Sequence, residues 1–242
     1  DERQGAGDID RFDAAGRSGG LLHWTPFGVH ALFAGVAPAA QASAVANSGE
    51  NRMHSISANG AEIPALGLGT WTLKGAKCTE MVAEALEIGY RHVDTASAYD
   101  NEEAVGAGIR TSGVPRGAVF LTTKVWHADL APRDFRRSAE ASLKRLGTGY
   151  LDLLLIHWPS QRVPLADTIG ALNEARAAGL TRHIGVSNFP TELLAEAIRL
   201  SDAPLVADQV EYHPYLDQSK VHAACRAAGM AMVSYCPLHR GG

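Results

Sequence analysis

Residues 151–157 read Leu151-Asp152-Leu153-Leu154-Leu155-Ile156-His157. Five of the seven side chains are aliphatic and four of them are consecutive, so the run has no polar face. A strand of this kind is buried on both sides, as in a parallel sheet covered by helices. The flanking segments are helical in period. Phe135, Ala139, Leu143 and Leu146 precede the run at steps of four, four and three, and Leu165, Ile169 and Leu172 follow it. The stretch is therefore read as one strand of a repeating βα chain.

The same pattern recurs on both sides. Short apolar runs cover Ala65–Trp71, His92–Thr95, Val119–Val125, His183–Val186, Ala207–Tyr212 and Met230–Tyr235. Seven strands then begin near residues 65, 92, 119, 151, 183, 207 and 230, each about one βα unit from the next. Met81, Val82, Ala85 and Leu86 share a helical face before Gly89, and Val221, Ala224, Cys225 and Ala228 do so before Gly229. Glycine just past a helix takes the left-handed C′ conformation without a Cβ clash. Asn101, Pro132 and Pro190 stand at helix starts. Seven βα units without a long insertion predict a parallel sheet with right-handed crossovers, completed as a (β/α)₈ TIM barrel. The rival is an open doubly wound sheet, but its G-x-G-x-x-G fingerprint is absent. Gly67-Leu68-Gly69 runs on into Thr70-Trp71-Thr72. Ahead of the first strand, Asn59-Gly60 between two short stretches (residues 54–63) predicts a β-hairpin.

Residues 1–50 differ in character. Gly, Ala, Asp and Arg dominate the first twenty, and an apolar stretch from Leu21 to Ala46 is broken by His23, Pro26, His30 and Pro38. No uninterrupted apolar run there reaches the ~18 residues of a membrane-spanning helix. The expected division is an extension over 1–50, disordered or non-native, and a barrel over 51–242. The small residues at Ala40-Gln41-Ala42-Ser43-Ala44 leave a degenerate export signal as the alternative. Subtracting the extension from 242 residues leaves room for the hairpin and seven strands but not for an eighth. The expectation is an open barrel with two exposed strand edges, a stability liability.

Composition narrows the class. A net charge of −4 and 46% hydrophobic residues exclude wholesale disorder and make a poor generic binder of nucleic acid or anionic membrane. Cys78, Cys225 and Cys236 form no C-x-x-C pair, which argues against a disulfide framework and fits a reducing compartment.

Barrel enzymes draw their chemistry from the C-terminal ends of the strands. Those ends read Asp94, Lys124, His157, Ser187-Asn188, Gln209 and Tyr235, with Tyr99 just beyond the second strand. An acid, a lysine and a histidine on three successive strand ends, with a nearby tyrosine, suit a proton donor. A phenol has an unperturbed pKa of about 10, a nearby ammonium is expected to lower it, and a carboxylate keeps that ammonium charged. This fits carbonyl reduction, in which a hydride attacks carbon while Tyr99 protonates the developing alkoxide.

These residues sit in recognisable surroundings. The stretches are Gly67-Leu68-Gly69-Thr70-Trp71, Gly89-Tyr90-Arg91-His92-Val93-Asp94-Thr95-Ala96 with Tyr99-Asp100-Asn101-Glu102, Thr122-Thr123-Lys124-Val125-Trp126, Leu151 to Pro159, Ile184 to Phe189, and Gln209 to Tyr215. From about residue 53 onward the chain resembles the aldo-keto reductases, in the bacterial branch of 2,5-diketo-D-gluconate and methylglyoxal reductases. The resemblance implies that Asp94, Tyr99, Lys124 and His157 form the catalytic tetrad. It places Thr70, Asp94, Ser187, Asn188, Gln209, Tyr235 and Leu238 at the coenzyme. Ser187, Asn188 and Gln209 would hold the nicotinamide carboxamide, and Tyr235 would stack on its ring. Leu238, with Arg240, matches the loop over the pyrophosphate. Trp71, Trp126, His157 and Trp158 would line the substrate pocket. The implied activity is NADPH-dependent (NADP⁺-linked) reduction of small aldehydes and ketones by a cytoplasmic monomer. The family's grip on the adenosine 2′-phosphate lies in the C-terminal segment judged absent, so weak NADPH binding and poor turnover are expected of this chain.

Other chemistries are less well supported. Gly185-Val186-Ser187-Asn188-Phe189 lacks the second glycine of a G-x-S-x-G elbow. No H-E-x-x-H motif is present and no histidine pair has an evident ligand spacing with a carboxylate, so no metal is expected. His92, His127, His183, His213, His222 and His239 are read as structural or surface residues. Glu102-Glu103 is read as favouring the dipole of the helix after Asn101. The functional rival is a nicotinamide-binding barrel without turnover, acting as a regulatory or structural subunit. NADPH consumption set against NADPH binding separates the two.

Overall fold

Asn59 and Gly60 both adopt positive φ, 45° and 86°, as a type I′ turn requires. They join β2 (Ser55–Ala58) to β3 (Ala61–Pro64) in an antiparallel hairpin. The structure, a computed structural model, describes residues 30–34 and 54–239. For residues 30–34 it gives only the backbone, as strand β1 (His30–Ala34).

After the hairpin, strands and helices alternate. The strands are β4 (Leu66–Gly69), β5 (His92–Asp94), β6 (Phe120–Val125), β7 (Leu151–Ile156), β8 (Thr181–Ser187), β9 (Leu205–Glu211) and β10 (Ala231–Tyr235). The helices are α1 (Gly75–Glu87), α2 (Glu102–Thr111), α3 (Pro132–Leu146), α4 (Leu165–Ala177), α5 (Thr191–Leu200) and α6 (Ser219–Ala227). Each strand from β4 to β10 pairs in parallel with the next. This is the TIM-like barrel with an N-terminal hairpin that the sequence predicts, and all seven apolar runs become its strands. No helix among the described residues is long and apolar enough to cross a membrane.

Two apolar layers hold it together. Outside the strands, Val93, Leu121, Leu154 and Ile184 pack against Val82, Leu86, Phe135, Ile169 and Leu172 from the helices. Inside, Leu153, Leu155, Ala207 and Val233 meet Ile56, Ala58, Ala61 and Ile63 of the hairpin. Asn59 Nδ2 donates to Leu205 O at 2.7 Å and Ala228 O at 3.0 Å, where β9 and β10 begin. The hairpin thus floors the barrel at the N-terminal ends of the strands and leaves the opposite end for the site.

α3 ends as its sequence predicts. Gly147 takes φ 65°, and the following Thr148 N–H donates back to Leu143 O at 3.2 Å. Helix packing is close where α2 crosses α3. A Cβ on Gly106 would lie 2.1 Å from Leu146 O.

One expectation is corrected. Seven parallel strands alone would leave β4 and β10 as open edges, but β1 lies between them. It runs antiparallel to both, with Leu32 opposite Gly67 and Phe33 opposite Ser234. The physical reason is that a bare strand edge presents unpaired N–H and C=O groups, and any chain segment in reach gains hydrogen bonds by pairing there. No eighth parallel strand occurs among the described residues. The rest of residues 1–50 lies outside the described residues, as does Arg240.

Candidate active site

Three strand ends and one loop bring the predicted tetrad together. Asp94 ends β5, Lys124 lies in β6 and His157 follows β7. Tyr99 sits on a 3₁₀ turn (Ser97–Tyr99) directly after β5. Asp94, Lys124 and His157 are buried, and Tyr99 is partly exposed.

Lys124 is the hub. Its Nζ donates to Asp94 Oδ1 in a short ion pair, to Thr95 O at 3.0 Å and to the Tyr99 hydroxyl at 3.5 Å. An ammonium this deeply buried would lose its proton, since burial alone depresses it. The Asp94 charge, and then Tyr99, more than reverse this, and Lys124 is held above its ordinary value. Tyr99 departs from expectation. Burial pushes its phenol up, and Lys124 pulls the other way without winning. The cause is desolvation, which penalises a phenolate more than one ammonium at 3.5 Å compensates. Tyr99 therefore keeps its proton at neutral pH.

His157 completes the group. Its ring stands edge-on to Tyr99, with centroids 5.5 Å apart, and edge-on to Trp126 at 5.0 Å. Burial, with Lys124 adding to the effect, pushes its pKa down to about 2. The imidazole is neutral, so it offers an N–H without carrying charge.

The next strand ends extend the site. Gln209 Nε2 donates to Asp94 Oδ2 at 2.8 Å, so both carboxylate oxygens are engaged. Ser187 Oγ donates to Gln209 O at 2.8 Å. Asn188 has φ 64°, a left-handed conformation that asparagine tolerates better than most residues. Its Nδ2 donates to His157 O and to Ser187 Oγ, each at 3.0 Å, and its Oδ1 accepts from the Tyr235 hydroxyl at 2.8 Å. Thr70 stands at the same end of the barrel, and its backbone N–H donates to Asp94 O at 2.9 Å.

The peripheral residues are less tightly gathered. Trp71 is half-buried after β4 and Trp158 is 43% exposed after β7. Leu238 is 68% exposed on the turn after β10.

Sequence reasoning missed the support beneath the site. Asn101 stands at the start of α2 but its side chain caps nothing. Its Nδ2 donates to Thr70 O at 2.8 Å and Leu73 O at 3.0 Å, and its Oδ1 accepts from Thr95 Oγ1 at 2.9 Å. It ties the loops after β4 and β5 together, which fixes where Tyr99 sits. Glu102, read as a dipole residue, is 1% exposed. It accepts from Thr123 Oγ1 at 2.6 Å and pairs with Arg145 of α3 at 2.6 Å. The signal in the sequence was an acid at a helix start, which looks the same whether the carboxylate faces water or the core.

The chain as a whole is similar to known proteins. The aldo/keto reductase family pattern covers residues 65–242. Methylglyoxal reductase DkgB of Salmonella typhi is 47% identical over 182 residues, which span 74% of this chain and 68% of that protein. Glyoxal reductase of Bacillus subtilis is 41% identical over 184 residues, 76% of this chain and 66% of that one. A crystal structure bearing the name 2,5-diketo-D-gluconic acid reductase B is 53% identical. It superposes with a TM-score of 0.77, over 78% of this chain and 67% of that one. A Bombyx mori aldo-keto reductase solved in complex with NADP is 35% identical with a TM-score of 0.70, covering 76% of this chain and 66% of that one. This chain therefore belongs to the aldo/keto reductase family of oxidoreductases.

Proposed function

We propose that the protein reduces small aldehydes, ketoaldehydes and keto sugars to alcohols with NADPH, and that Tyr99 is the general acid. The observation that carries this is the buried chain Asp94–Lys124–Tyr99 opening beside a neutral His157 at the C-terminal end of the barrel. Methylglyoxal, glyoxal and diketogluconate appear in the names of similar proteins, which supports a small, polar carbonyl substrate.

The residues present fit a nicotinamide coenzyme. Thr70 Oγ1 and His157 Nδ1 are buried at this end of the barrel without a hydrogen-bond partner among the described residues. Ser187, Asn188 and Gln209 present amide and hydroxyl groups side by side, as recognition of a carboxamide requires. When bound, the coenzyme supplies the hydride. Ser187, Asn188 and Gln209 would hold its carboxamide, Tyr235 would lie against the ring, and Thr70 and Leu238 would border it.

The chain's own residues then handle the proton and the charge. The carbonyl carbon gains a C–H bond and its oxygen gathers negative charge. Tyr99 donates its hydroxyl proton to that oxygen, giving the alcohol. Lys124 faces the phenolate left behind and stabilises it, and Asp94 keeps Lys124 charged. His157 offers a neutral N–H to the same oxygen. Trp71, Trp126 and Trp158 would wall the pocket and limit water.

The same reading makes the protein a cytoplasmic monomer with a small-molecule partner. Burial raises the Cys78 and Cys225 thiols to about 11 and about 12, which leaves them little reactive thiolate. The test is steady-state NADPH consumption across a panel of methylglyoxal, glyoxal, 2,5-diketo-D-gluconate and simple aldehydes. Turnover with at least one ketoaldehyde is expected. NADPH binding without turnover on any of them would instead establish a non-catalytic binding barrel.

A further inference from the structure

Beyond the tetrad, one cluster of chemically capable side chains lies at the same end of the barrel. Glu211 ends β9, and His213 follows two residues later. Alternate residues of an extended strand face the same side, and His213 Nε2 lies 3.5 Å from Glu211 Oε1. His239 reaches them from the turn after β10, with its ring centroid 4.5 Å from that of His213. One ligand atom from each residue lies within 4.8 Å of the other two. We propose that Glu211, His213 and His239 form a binding site for a divalent transition cation of the zinc class.

The donor set fits that cation. Two imidazole nitrogens and one carboxylate oxygen suit a borderline-soft ion better than calcium or magnesium, which prefer all-oxygen shells. With bonds of about 2.0–2.1 Å, neighbouring ligands of a tetrahedral ion stand roughly 3.4 Å apart. The Glu211–His213 separation already matches that edge. His239 is exposed, so its ring can close the remaining distance by a side-chain rotation. His213 is 8% exposed and is steered by packing, and its Nδ1 lies 3.3 Å from the Tyr215 N–H. Coordination through Nε2 leaves the proton on Nδ1 and gives up this long contact, a modest loss.

The site would also restrain the backbone. His239 has φ 46° and Cys236 φ 51°, so the turn between them is held in a conformation that side chains disfavour. A metal bridging this turn to the end of β9 holds it there. The sequence conceals the cluster because His239 is remote from the Glu-x-His pair until β9 and β10 lie side by side.

The test is a titration of the chelator-treated, dialysed 242-residue chain with zinc chloride. It is followed calorimetrically, with cobalt(II) as a spectroscopic substitute. One equivalent bound at micromolar free zinc is expected, with a cobalt visible band typical of four or five ligands. His239→Ala and Glu211→Gln should each weaken that equivalent at least tenfold with an unchanged circular dichroism spectrum. His54→Ala, an exposed histidine elsewhere, should leave it as it is. Absence of binding below millimolar zinc overturns the proposal. So does a first equivalent that either of the two ligand substitutions leaves unchanged, since other histidines would then be holding it.

Discussion

Gln209 on β9 donates a 2.8 Å hydrogen bond across the barrel to Asp94 on β5. The bond joins a residue proposed to hold the coenzyme to one proposed to hold the proton donor in place. Asp94 is 3% exposed, so water cannot replace a lost partner there. Gln209→Met should therefore lower unfolding free energy by about 1–3 kcal/mol, the usual range for an orphaned buried acceptor. It should also raise the apparent dissociation constant for NADPH. Urea denaturation with a fluorescence titration checks both, and unchanged stability would show that Asp94 does not need the bond.

Tyr99→Phe removes the hydroxyl and little else. It should lower kcat/KM for methylglyoxal by about 10²–10⁴, the range for loss of a general acid. NADPH affinity should stay within about twofold. A variant with normal turnover would remove Tyr99 from the mechanism.

Lys124→Met tests the buried pair. The substitution leaves Asp94 charged without its counter-ion, and breaking such a pair costs about 3–5 kcal/mol. Asp94→Asn in the same chain should recover part of that loss, because the orphaned charge is gone. A double-mutant cycle by chemical denaturation measures the recovery, and strict additivity would mean the two residues act independently.

Asp208 makes stability depend on pH in an unusual direction. It is fully buried, its Oδ2 has no hydrogen-bond partner among the described residues, and burial raises its carboxyl to about 8. The folded state therefore holds this proton more tightly than the unfolded chain, where the ordinary value is 3.8. Its contribution to stability is complete below pH 3.8 and is lost as the pH rises to about 8. Asp208→Asn removes the dependence. The stability gap in favour of the variant should widen from about pH 4 to about pH 8, by at most about 1.4 kcal/mol per unit. A gap that does not change with pH would place the charged carboxylate in the folded protein.

Gly106→Ala probes packing far from the site. Its Cβ would stand 2.1 Å from Leu146 O, a backbone atom that cannot rotate away. A loss of roughly 3 kcal/mol is expected, the upper end for overpacking. Gly117→Ala, where a Cβ meets nothing within 4 Å, is the control. Thermal unfolding of the two variants decides it.

Much of this is legible in the amino-acid sequence. Runs such as Leu151–Ile156 have no polar face, so they could only be doubly covered strands, and seven of them in βα rhythm leave few topologies. Asp94, Lys124 and His157 were legible for the same reason, because strand ends can be counted, and Tyr99 was legible from its place just past one of them and from the family resemblance. What stayed hidden depended on partners remote in sequence. Asn101 and Glu102 read as helix-start residues, and only the packing of α2 between Thr70, Thr123 and Arg145 turns them into cross-links. The raised pKa of Tyr99 was hidden because a sequence shows that a lysine is near but not how much water has left. The closure by β1 was hidden because His30–Ala34 carries no pattern beyond a short apolar run.

Asn188 has a consequence of its own. Its amide already gives both N–H donors to His157 O and Ser187 Oγ, and one of the two acceptor sites of its oxygen to Tyr235. A carboxamide carbonyl that seeks its N–H must therefore trade places with a bond the protein has already made, whereas a carboxamide N–H can still reach the second lone pair of Oδ1. Such an exchange yields little net strength, because each bond gained is offset by one surrendered. Its value is in discrimination. A ring whose substituent reproduces the vacated pattern completes the trade, and one that lacks it leaves the amide stranded. Under the proposed function, Asn188 would then contribute more to telling one ring substituent from another than to the strength of the hold on it.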